Sequence, residues 1–422
     1  MVNIKRKSVR FLSLMFTAGV LAMLSLSGCK KSGDYDLLVE GRLYLDNSPV
    51  RVEIKDGKIS SIKKISNLPA ESENFIIAPG LIDNQVNGYM GYSFVDIGRE
   101  LTIEGIHTIT KSLWKSGITS YMPTVTTNSH KIFMKNFALL AEAKEDPETR
   151  GAIPGFHLEG PYISPVDGYR GAHPLIYVRK PDWNEFMELY NASGKNILQV
   201  TVAPEVEGAM DFISKCNDMG IKVALGHHNG SAAEIEEAAD RGAVMCTHLG
   251  NGMANSINRH INPLWPQLAE ERLNISIICD GYHLQPEEIK VFYKTKGPDK
   301  VFITSDVSPL AGQAPGFYTN AIGDTLELKA EGVVVYPALN VLSGSGQLQS
   351  RMIGHVMKVT GCSLAEAIQM ASTNNARLYG LNDRGEIKPG LRADLILFTM
   401  NDYQFELKKT LVAGEVVYES ER

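Results

Sequence analysis

Four residues of metal-binding type each stand at or just after the end of a different short apolar segment: Glu159, His227, His248 and Asp306. One carboxylate and two imidazoles with an open fourth position form the ligand set of a hydrolytic zinc site, where the metal lowers the pKa of bound water to about 7. Asp306 can then act as the base. Since four such residues at four segment ends are an improbable coincidence, we predict a metal-dependent hydrolytic site.

The other histidines are weaker candidates for metal binding. His228 shares a peptide bond with His227 and should point away from the metal. His157 lies two residues before Glu159, on the same strand face, and could support the site by hydrogen bonding. Ordinary hydrogen-bonding roles are expected for His107, His130, His260 and His355.

Such a site needs a scaffold that brings distant segments to one place. Short apolar or β-branched runs recur eight times after Pro79, with helix-like segments such as Ser231–Arg241 and Glu207–Met219 between them. The predicted strands are 80–87, 118–125, 153–159, 197–203, 221–226, 243–248, 274–279 and 301–305. This alternation predicts an α/β fold, a (β/α)8 TIM barrel over residues 79–384, whose strand ends converge on one mouth.

The two ends of the remaining chain are typical of antiparallel β-structure. Residues 36–78 and 385–422 contain apolar residues at a period of two, with turns expected at Asp46-Asn47, Asp56-Gly57 and Ala413-Gly414. Neither piece has enough apolar residues for a core of its own. We therefore expect both to pair into one small β-sandwich domain beside the barrel.

The N-terminus is typical of an exported protein. Basic residues precede an apolar run over residues 11–26, and Leu26-Ser27-Gly28-Cys29 resembles the lipobox of bacterial lipoproteins. We predict a signal peptide over residues 1–29, acylation of Cys29, a tether over residues 30–35, and an exported lipoprotein anchored to a membrane. A simple cleaved signal and an uncleaved anchor remain as alternatives.

Composition excludes several classes of protein. The 422 residues are 44% hydrophobic and 21% charged, which excludes a disordered chain. The 42 Lys and Arg against 48 Asp and Glu give a net charge of −6 without a basic stripe, so no nucleic-acid partner is expected. Cys216, Cys246, Cys279 and Cys362 show no spacing that predicts a disulfide framework.

Several motifs resemble a known family. Pro79–Asp83, followed by Asn84–Gly88, resembles the first-strand signature of the amidohydrolase superfamily. Four further motifs resemble the family of N-acetylglucosamine-6-phosphate deacetylases: His157–Pro161, Gly226–Asn229, Thr247–Met253 and Asp280–His283. The resemblance extends in motif order from about residue 35 to residue 417.

This resemblance implies hydrolysis of the N-acetyl amide of an amino sugar, with acetate as one product. It implies that Glu159, His227 and His248 bind the metal and that Asp306 is the general acid and base. It further implies that His173 contacts the substrate and polarises its acetamide carbonyl. For the sugar phosphate it implies contacts near Asn251 and Gly252 and a charged clamp of Arg259 and His283, partly supplied by the second subunit of a homodimer.

Two departures from the family pattern are visible. Gly252 stands where alanine is common, and the loop between Glu159 and His173 is slightly longer.

Gln85 and Asn87 occupy positions where most of the superfamily has His-x-His and a second metal. Since neutral amides are poor zinc ligands, we predict one divalent metal ion, zinc, with both amides facing the substrate pocket as hydrogen-bonding residues.

Two alternatives remain open at this point. Sugar phosphates are cytoplasmic, so an exported enzyme of this type could instead act on an unphosphorylated N-acetyl sugar or another N-acyl amide. A non-catalytic glycan-binding lipoprotein would use the same scaffold, although retention of all four polar site residues argues against it.

Overall fold

The computed structural model describes residues 35–95, 99–320 and 322–421. The predicted signal peptide, the acylated Cys29 and all but the last residue of the predicted tether lie outside the described residues. Strands in the described part are β1 Leu37–Leu43, β2 Pro49–Lys55, β3 Lys58–Lys64, β4 Ile76–Pro79, β5 Leu81–Val86, β6 Gly88–Tyr89, β7 Tyr92–Ser93, β8 Ile118–Thr126, β9 Phe156–Glu159, β10 Ile197–Val202, β11 Lys222–Leu225, β12 Ala243–Cys246, β13 Asn274–Ile277, β14 Val301–Ile303, β15 Gly316–Thr319, β16 Thr325–Leu328, β17 Val333–Tyr336, β18 Val341–Ser345, β19 Leu395–Asn401, β20 Gln404–Val412 and β21 Glu415–Glu419.

The α-helices of the described part lie mostly between the strands of the central region. They are α1 Ile103–Trp114, α2 His130–Glu145, α3 Trp183–Ala192, α4 Ala209–Asp218, α5 Ala232–Asp240, α6 Leu264–Ala269, α7 Pro286–Lys296, α8 Gln349–Thr360, α9 Leu364–Ile368 and α10 Asn374–Leu378. A π-helical turn, Gln369–Thr373, joins α9 to α10.

The predicted TIM barrel is confirmed. Eight strands form one sheet in the order β5-β8-β9-β10-β11-β12-β13-β14, and every pairing in it is parallel. Helices α1 to α8 follow these strands one by one. A parallel bridge between Val86 and Val307, with a hydrogen bond of 3.1 Å from Thr304 Oγ1 to Asp83 Oδ1, connects the last strand to the first.

Local sequence explains where the barrel helices begin. Before α5, the Ser231 hydroxyl accepts from the Glu234 amide while the Glu234 carboxylate accepts from the Ser231 amide, which forms a capping box. The buried residues Ile235, Ala238 and Ala239 lie at helical spacing and turn this helix toward the barrel.

The two ends of the chain form one sheet of seven strands, in the order β21-β20-β19-β4-β1-β2-β3. The sheet curves, because a bridge between Lys58 and Arg392 brings the start of β3 to the segment before β19. The buried faces of its strands then enclose a common apolar core. The turn at Asp56-Gly57 has two positive φ angles, 51° and 73°, as tight hairpins require.

A separate sheet in which every pairing is antiparallel was not predicted from the sequence, whereas the seven-stranded sheet, predicted to be antiparallel, contains one parallel pairing, of β1 with β4. Strands β15 to β18, residues 316–345, follow the last barrel strand and precede α8; we call them the cap sheet. Leu326, Leu328, Val334 and Tyr336 form a small core with Leu310. The four strands have at most five residues each and are separated by turns, so their periodicity is too short to stand out in the sequence.

Two further observations concern cysteines and helix length. The four cysteines of the described part are buried, and none of them forms a disulfide with another described residue. Within the described ranges, no helix is both long enough and apolar enough to cross a lipid bilayer.

Candidate active site

Three buried side chains converge at the C-terminal ends of the barrel strands. Glu159 is the last residue of β9, whereas His227 and His248 each follow their strands, β11 and β12, by two positions. One ligand atom from each of the three lies within 4.8 Å of the other two. Glu159 Oε1 lies 3.0 Å from His248 Nε2 and 3.5 Å from His227 Nε2.

The backbone turns sharply at the residues that point into this site. His227, His248 and Asp306 have φ angles of 52°, 27° and 48°, in the left-handed region that non-glycine residues seldom adopt. Each such residue costs on the order of 1–3 kcal/mol, and this strain concentrates at functional sites. The barrel therefore holds these three side chains in place against a local conformational preference.

The donor set fits a divalent cation. A carboxylate with two imidazole nitrogens is a ligand set of catalytic zinc sites. His227 Nδ1 lies 3.1 Å from the carbonyl oxygen of Tyr169, the contact that orients a metal-binding imidazole through its other nitrogen. Burial alone would raise the pKa of Glu159, but hydrogen bonds from His227 and His248 outweigh it and hold that pKa well below its usual range.

Asp306 lies beside this cluster, three residues beyond β14. Its Oδ1 accepts from Gln85 Nε2 at 2.9 Å and from Asn87 Nδ2 at 2.7 Å. Burial, with a smaller contribution from the Glu159 charge, raises the pKa of Asp306 although His248 and Asn87 oppose the shift. Since both recorded hydrogen bonds use Oδ1, a second carboxylate oxygen is available to exchange a proton.

Gln85 joins the two carboxylates of the site. Its Nε2 also donates to Glu159 Oε2, over 3.0 Å. The amide nitrogen carries two hydrogens, so it can donate one to each carboxylate. The Gln85 amide therefore faces both Asp306 and Glu159, whereas the Asn87 amide faces Asp306.

His173 lies against the metal-compatible cluster on another side of the pocket. Its ring contacts the His227 ring edge to face, with centroids 4.2 Å apart. Burial, aided by His227, lowers the pKa of His173 to about 3. Its Nδ1 lies 2.8 Å from Thr127 Oγ1, and its carbonyl oxygen accepts from Arg170 Nη1 at 2.8 Å. The ring and backbone of His173 are therefore both held.

His283 lines the pocket from the segment after β13. Its Nδ1 is 2.7 Å from Asp280 Oδ2, which also accepts from Ser345 Oγ at 2.8 Å. Ser345 ends the cap sheet, and its backbone amide donates to the Asp306 carbonyl at 2.9 Å. Asp280 thus orients His283 and is itself held by Ser345 of the cap sheet. Ser345 in turn contacts the backbone of Asp306.

Asn251 and Gly252 lie close to the histidines. Asn251 lines the pocket, and its buried Nδ2 finds no hydrogen-bond partner among the described residues. A Cβ at Gly252 would lie 2.8 Å from the backbone nitrogen of His227. Glycine at this position therefore permits the close approach of the two loops, whereas alanine would require the His227 backbone to shift.

Arg259 is not brought into the pocket. It is exposed on the loop of residues 253–262, which we call the rim loop, and its backbone carbonyl accepts from Trp265 Nε1 at 3.1 Å. The cavity over the site has a volume of about 300 Å³, and among the described residues that line it there is no lysine or arginine. Within a single chain, the predicted clamp therefore contains His283 without Arg259.

The two histidines next to the predicted ligands are buried apart from the cluster. His157 contacts Thr124 Oγ1 at 3.3 Å and Thr201 Oγ1 at 2.8 Å. His228 Nδ1 accepts from the Gly230 amide at 3.1 Å. Burial lowers the pKa of each to about 4, so both rings are neutral at pH 7.

Some site residues were missed by reasoning from the sequence. Thr127 and Tyr169 orient histidines, but a single threonine and a backbone carbonyl carry no recognisable pattern. Asp280 belongs to the motif Asp280–His283, and its spacing of three from the histidine could have indicated this contact. The cap sheet contributes Leu326, Tyr336 and Val341 to the pocket wall.

Comparisons with known proteins agree with this geometry. Residues 76–417 match the Amidohydrolase family. An N-acetylglucosamine-6-phosphate deacetylase from Caenorhabditis elegans is 32% identical over 84% of this chain and 86% of its own length. An N-acetylgalactosamine-6-phosphate deacetylase from Escherichia coli O157:H7 is 28% identical over 84% of this chain and 91% of its own.

A solved structure shares the whole architecture. The crystal structure of N-acetylglucosamine-6-phosphate deacetylase from Thermotoga maritima superposes with a TM-score of 0.80 at 27% identity, over 91% of this chain and 100% of that one. Amidohydrolases use a divalent metal, and the buried Glu159, His227 and His248 are arranged for one. The chain therefore belongs to the amidohydrolase family, within the group that contains the N-acetylglucosamine-6-phosphate deacetylases.

Proposed function

We propose that this protein hydrolyses the N-acetyl amide of N-acetylglucosamine 6-phosphate, which yields acetate and glucosamine 6-phosphate. The observation that carries the proposal is the buried cluster of Glu159, His227 and His248 with Asp306 beside it, in a chain whose relatives are named for this activity. The three clustered side chains would hold one divalent ion, zinc. Such an ion supplies Lewis acidity and an activated water when it is bound.

Asp306 is the proton carrier of the proposed reaction. One carboxylate oxygen is held by Gln85 and Asn87, which leaves the other to accept a proton from the attacking water. A C–O bond forms at the acetyl carbon and the C–N bond breaks. The same proton then passes from Asp306 to the departing amine, so one carboxylate serves as base and afterwards as acid.

His173, Asn251 and His283 would orient the substrate. The buried, neutral His173 ring faces the pocket, where it contacts the amide oxygen and stabilises the negative charge that develops there. Asn251 Nδ2 has no partner within the described residues and is free to donate to the sugar. His283, held by Asp280, contacts the phosphate.

The phosphate site requires a second subunit in this proposal. Arg259 is exposed and outside the pocket of its own chain. Ile261 and Trp265, close to it in sequence, are 81% and 50% exposed, as expected for apolar residues that become buried in a homodimer. Arg259 of one subunit would then enter the pocket of the other, where a guanidinium binds phosphate in bidentate fashion.

Mixed dimers test this arrangement. Arg259→Ala and Asp306→Asn should each be nearly inactive alone. In a mixed dimer, the Arg259→Ala subunit keeps its own Asp306 and receives the arginine of its neighbour, so activity should return. Failure of the mixture to recover activity, with a monomer mass by analytical ultracentrifugation, would contradict the proposal.

An unphosphorylated substrate is the second candidate. The described residues that line the pocket include no lysine or arginine, and the first 29 residues predict export to a compartment where sugar phosphates are rare. Under this alternative, the physiological substrate is a neutral N-acetylated sugar or glycan fragment, and Arg259 serves only contacts between subunits.

Acetate release from a panel of substrates distinguishes these functions. N-acetylglucosamine 6-phosphate, N-acetylgalactosamine 6-phosphate and neutral N-acetylglucosamine should be compared at equal concentration, with metal content measured on the same sample. We expect N-acetylglucosamine 6-phosphate to give the highest kcat/KM. Equal turnover of the neutral sugar would favour the second candidate, and no release from any substrate would favour a binding protein.

Export and lipidation form a separate part of the proposal. Cys29 would be acylated after cleavage and would anchor the enzyme to a membrane. Wild-type protein should then incorporate labelled palmitate and fractionate with membranes, whereas Cys29→Ser should do neither. A cytoplasmic wild-type protein without label would contradict this part and leave the deacetylase proposal intact.

A further inference from the structure

A buried threonine contacts the histidine that faces the amide of the substrate. Thr127 Oγ1 lies 2.8 Å from His173 Nδ1, and the two residues are 2% and 8% exposed. His173 lines the pocket, so a contact at Nδ1 leaves the other nitrogen, Nε2, as its polar atom for the substrate. The position of the imidazole proton therefore decides whether His173 can donate to an amide oxygen.

The surroundings of Thr127 determine the direction of this hydrogen bond. Within the described residues, its hydroxyl has no hydrogen-bond partner other than His173 Nδ1. If Nδ1 were the donor, the buried hydroxyl proton would have no acceptor, which is unfavourable in a protein interior. If the hydroxyl donates, both groups are satisfied.

Gly160 packs closely against another side of the hydroxyl. Gly160 approaches Thr127 so closely that a Cβ at position 160 would lie 2.1 Å from Thr127 Oγ1. Gly160 also has a φ of 74°, a conformation that favours glycine. The hydroxyl is thus confined between the end of β9 and the His173 ring.

We propose that Thr127 is a positioning residue that donates its hydroxyl proton to His173 Nδ1 and thereby places the imidazole proton on Nε2, where it points to the substrate. This inference rests on the proposed function, in which His173 contacts the amide oxygen. The opposite tautomer would present a lone pair to a carbonyl oxygen, which is repulsive. The edge-to-face contact with His227 holds the ring, and the hydrogen bond from Arg170 to the His173 carbonyl oxygen holds its backbone.

Two matched variants test the role of the hydroxyl. Thr127→Val keeps the shape of the side chain and removes the donor, whereas Thr127→Ser keeps the donor and removes a methyl group. With N-acetylglucosamine 6-phosphate, we expect Thr127→Val to lower kcat about 10- to 100-fold, as loss of an orienting partner does, with little change in KM and unchanged metal content. Thr127→Ser should retain kcat within about threefold, since its hydroxyl supplies the same hydrogen bond.

Nitrogen NMR of histidine-labelled wild-type protein reads the tautomer directly, with His173→Gln used to assign the signals. We expect Nδ1 of His173 to be unprotonated and Nε2 to carry the proton. A protonated Nδ1, a full kcat in Thr127→Val, or equal impairment in Thr127→Ser and Thr127→Val would each overturn the proposal. If Thr127→Val does not fold, the wild-type spectrum decides. If the wild type releases no acetate, the proposed function fails, and the spectrum still reports the tautomer.

Discussion

The floor of the pocket and its rim loop are built in different ways. The floor, which consists of Glu159, His227, His248, Asp306 and Gln85, is buried, and each side chain contacts another member across many residues of sequence. The rim loop carries Arg259, which is exposed and whose one hydrogen bond within the described residues is made by its backbone carbonyl. One folded chain therefore assembles the hydrolytic cluster, whereas it leaves Arg259, the residue proposed to bind the phosphate, outside its own cavity.

This difference has a physical origin. Parallel barrel strands end at one mouth, so residues at strand ends meet regardless of their separation in sequence. The rim loop contains neither helix nor strand, and most of its residues are exposed, as is typical of loops at the surface. Substitutions in the floor should therefore lower metal binding and the turnover of every substrate. Substitution of Arg259 in the rim loop should lower the turnover of phosphorylated substrates only.

The largest effect is expected for His248→Ala. Loss of one of three ligands should remove the metal and reduce deacetylation to background with every substrate, as metal analysis and acetate release will show. His130→Ala, which changes a histidine of α2 that does not line the pocket, is the matched control and should keep both. Two tightly bound metal ions per wild-type chain would refute the single-metal prediction from Gln85 and Asn87.

Asp306→Asn separates metal binding from proton transfer within the floor. The variant should keep the metal, because Asp306 is not a member of the clustered triad, yet lose about 10²- to 10⁴-fold in kcat. Steady-state kinetics with parallel metal analysis check this. Near-normal turnover would remove Asp306 from the mechanism.

Arg259→Ala tests the rim loop against the floor. It should lower kcat/KM for N-acetylglucosamine 6-phosphate by a factor equivalent to a loss of about 2–5 kcal/mol of binding free energy, the range for truncation of one member of a charge pair. The metal content should stay unchanged. Neutral N-acetylglucosamine is the control substrate, and its turnover should change little. Equal losses on both substrates would show that Arg259 has no clamp function.

A smaller effect is expected from the amides that contact Asp306. Gln85→Ala removes donors to both Glu159 and Asp306 and should lower kcat about 10- to 100-fold. Asn87→Ala removes a side-chain contact with Asp306 alone and should cost less. A greater loss in Asn87→Ala than in Gln85→Ala would contradict the bridging role of Gln85.

Much of the floor could be predicted because the sequence shows both the types of its residues and their positions at the ends of predicted strands. Glu159, His227 and His248 are metal-binding types at predicted strand ends, and the structure brings all three within 4.8 Å. Asp306 lies beside them, and Gln85 and Asn87 contact it. The rim loop was harder to predict, because the motif assigned Arg259 to the phosphate clamp but carried no information on whether its side chain reaches the pocket of its own chain.

The sequence by itself determined the eight-stranded barrel, the pairing of both chain ends in one sheet, and the residue types available for a metal. These follow from hydrophobic periodicity, turn residues and ligand chemistry, which are local properties. Only the tertiary structure decided the cap sheet, the contact of Thr127 with His173, the contact of Asp280 with Ser345, and the position of Arg259 outside the cavity. Each depends on distances between side chains from separate elements, and no local pattern of residues encodes such a distance.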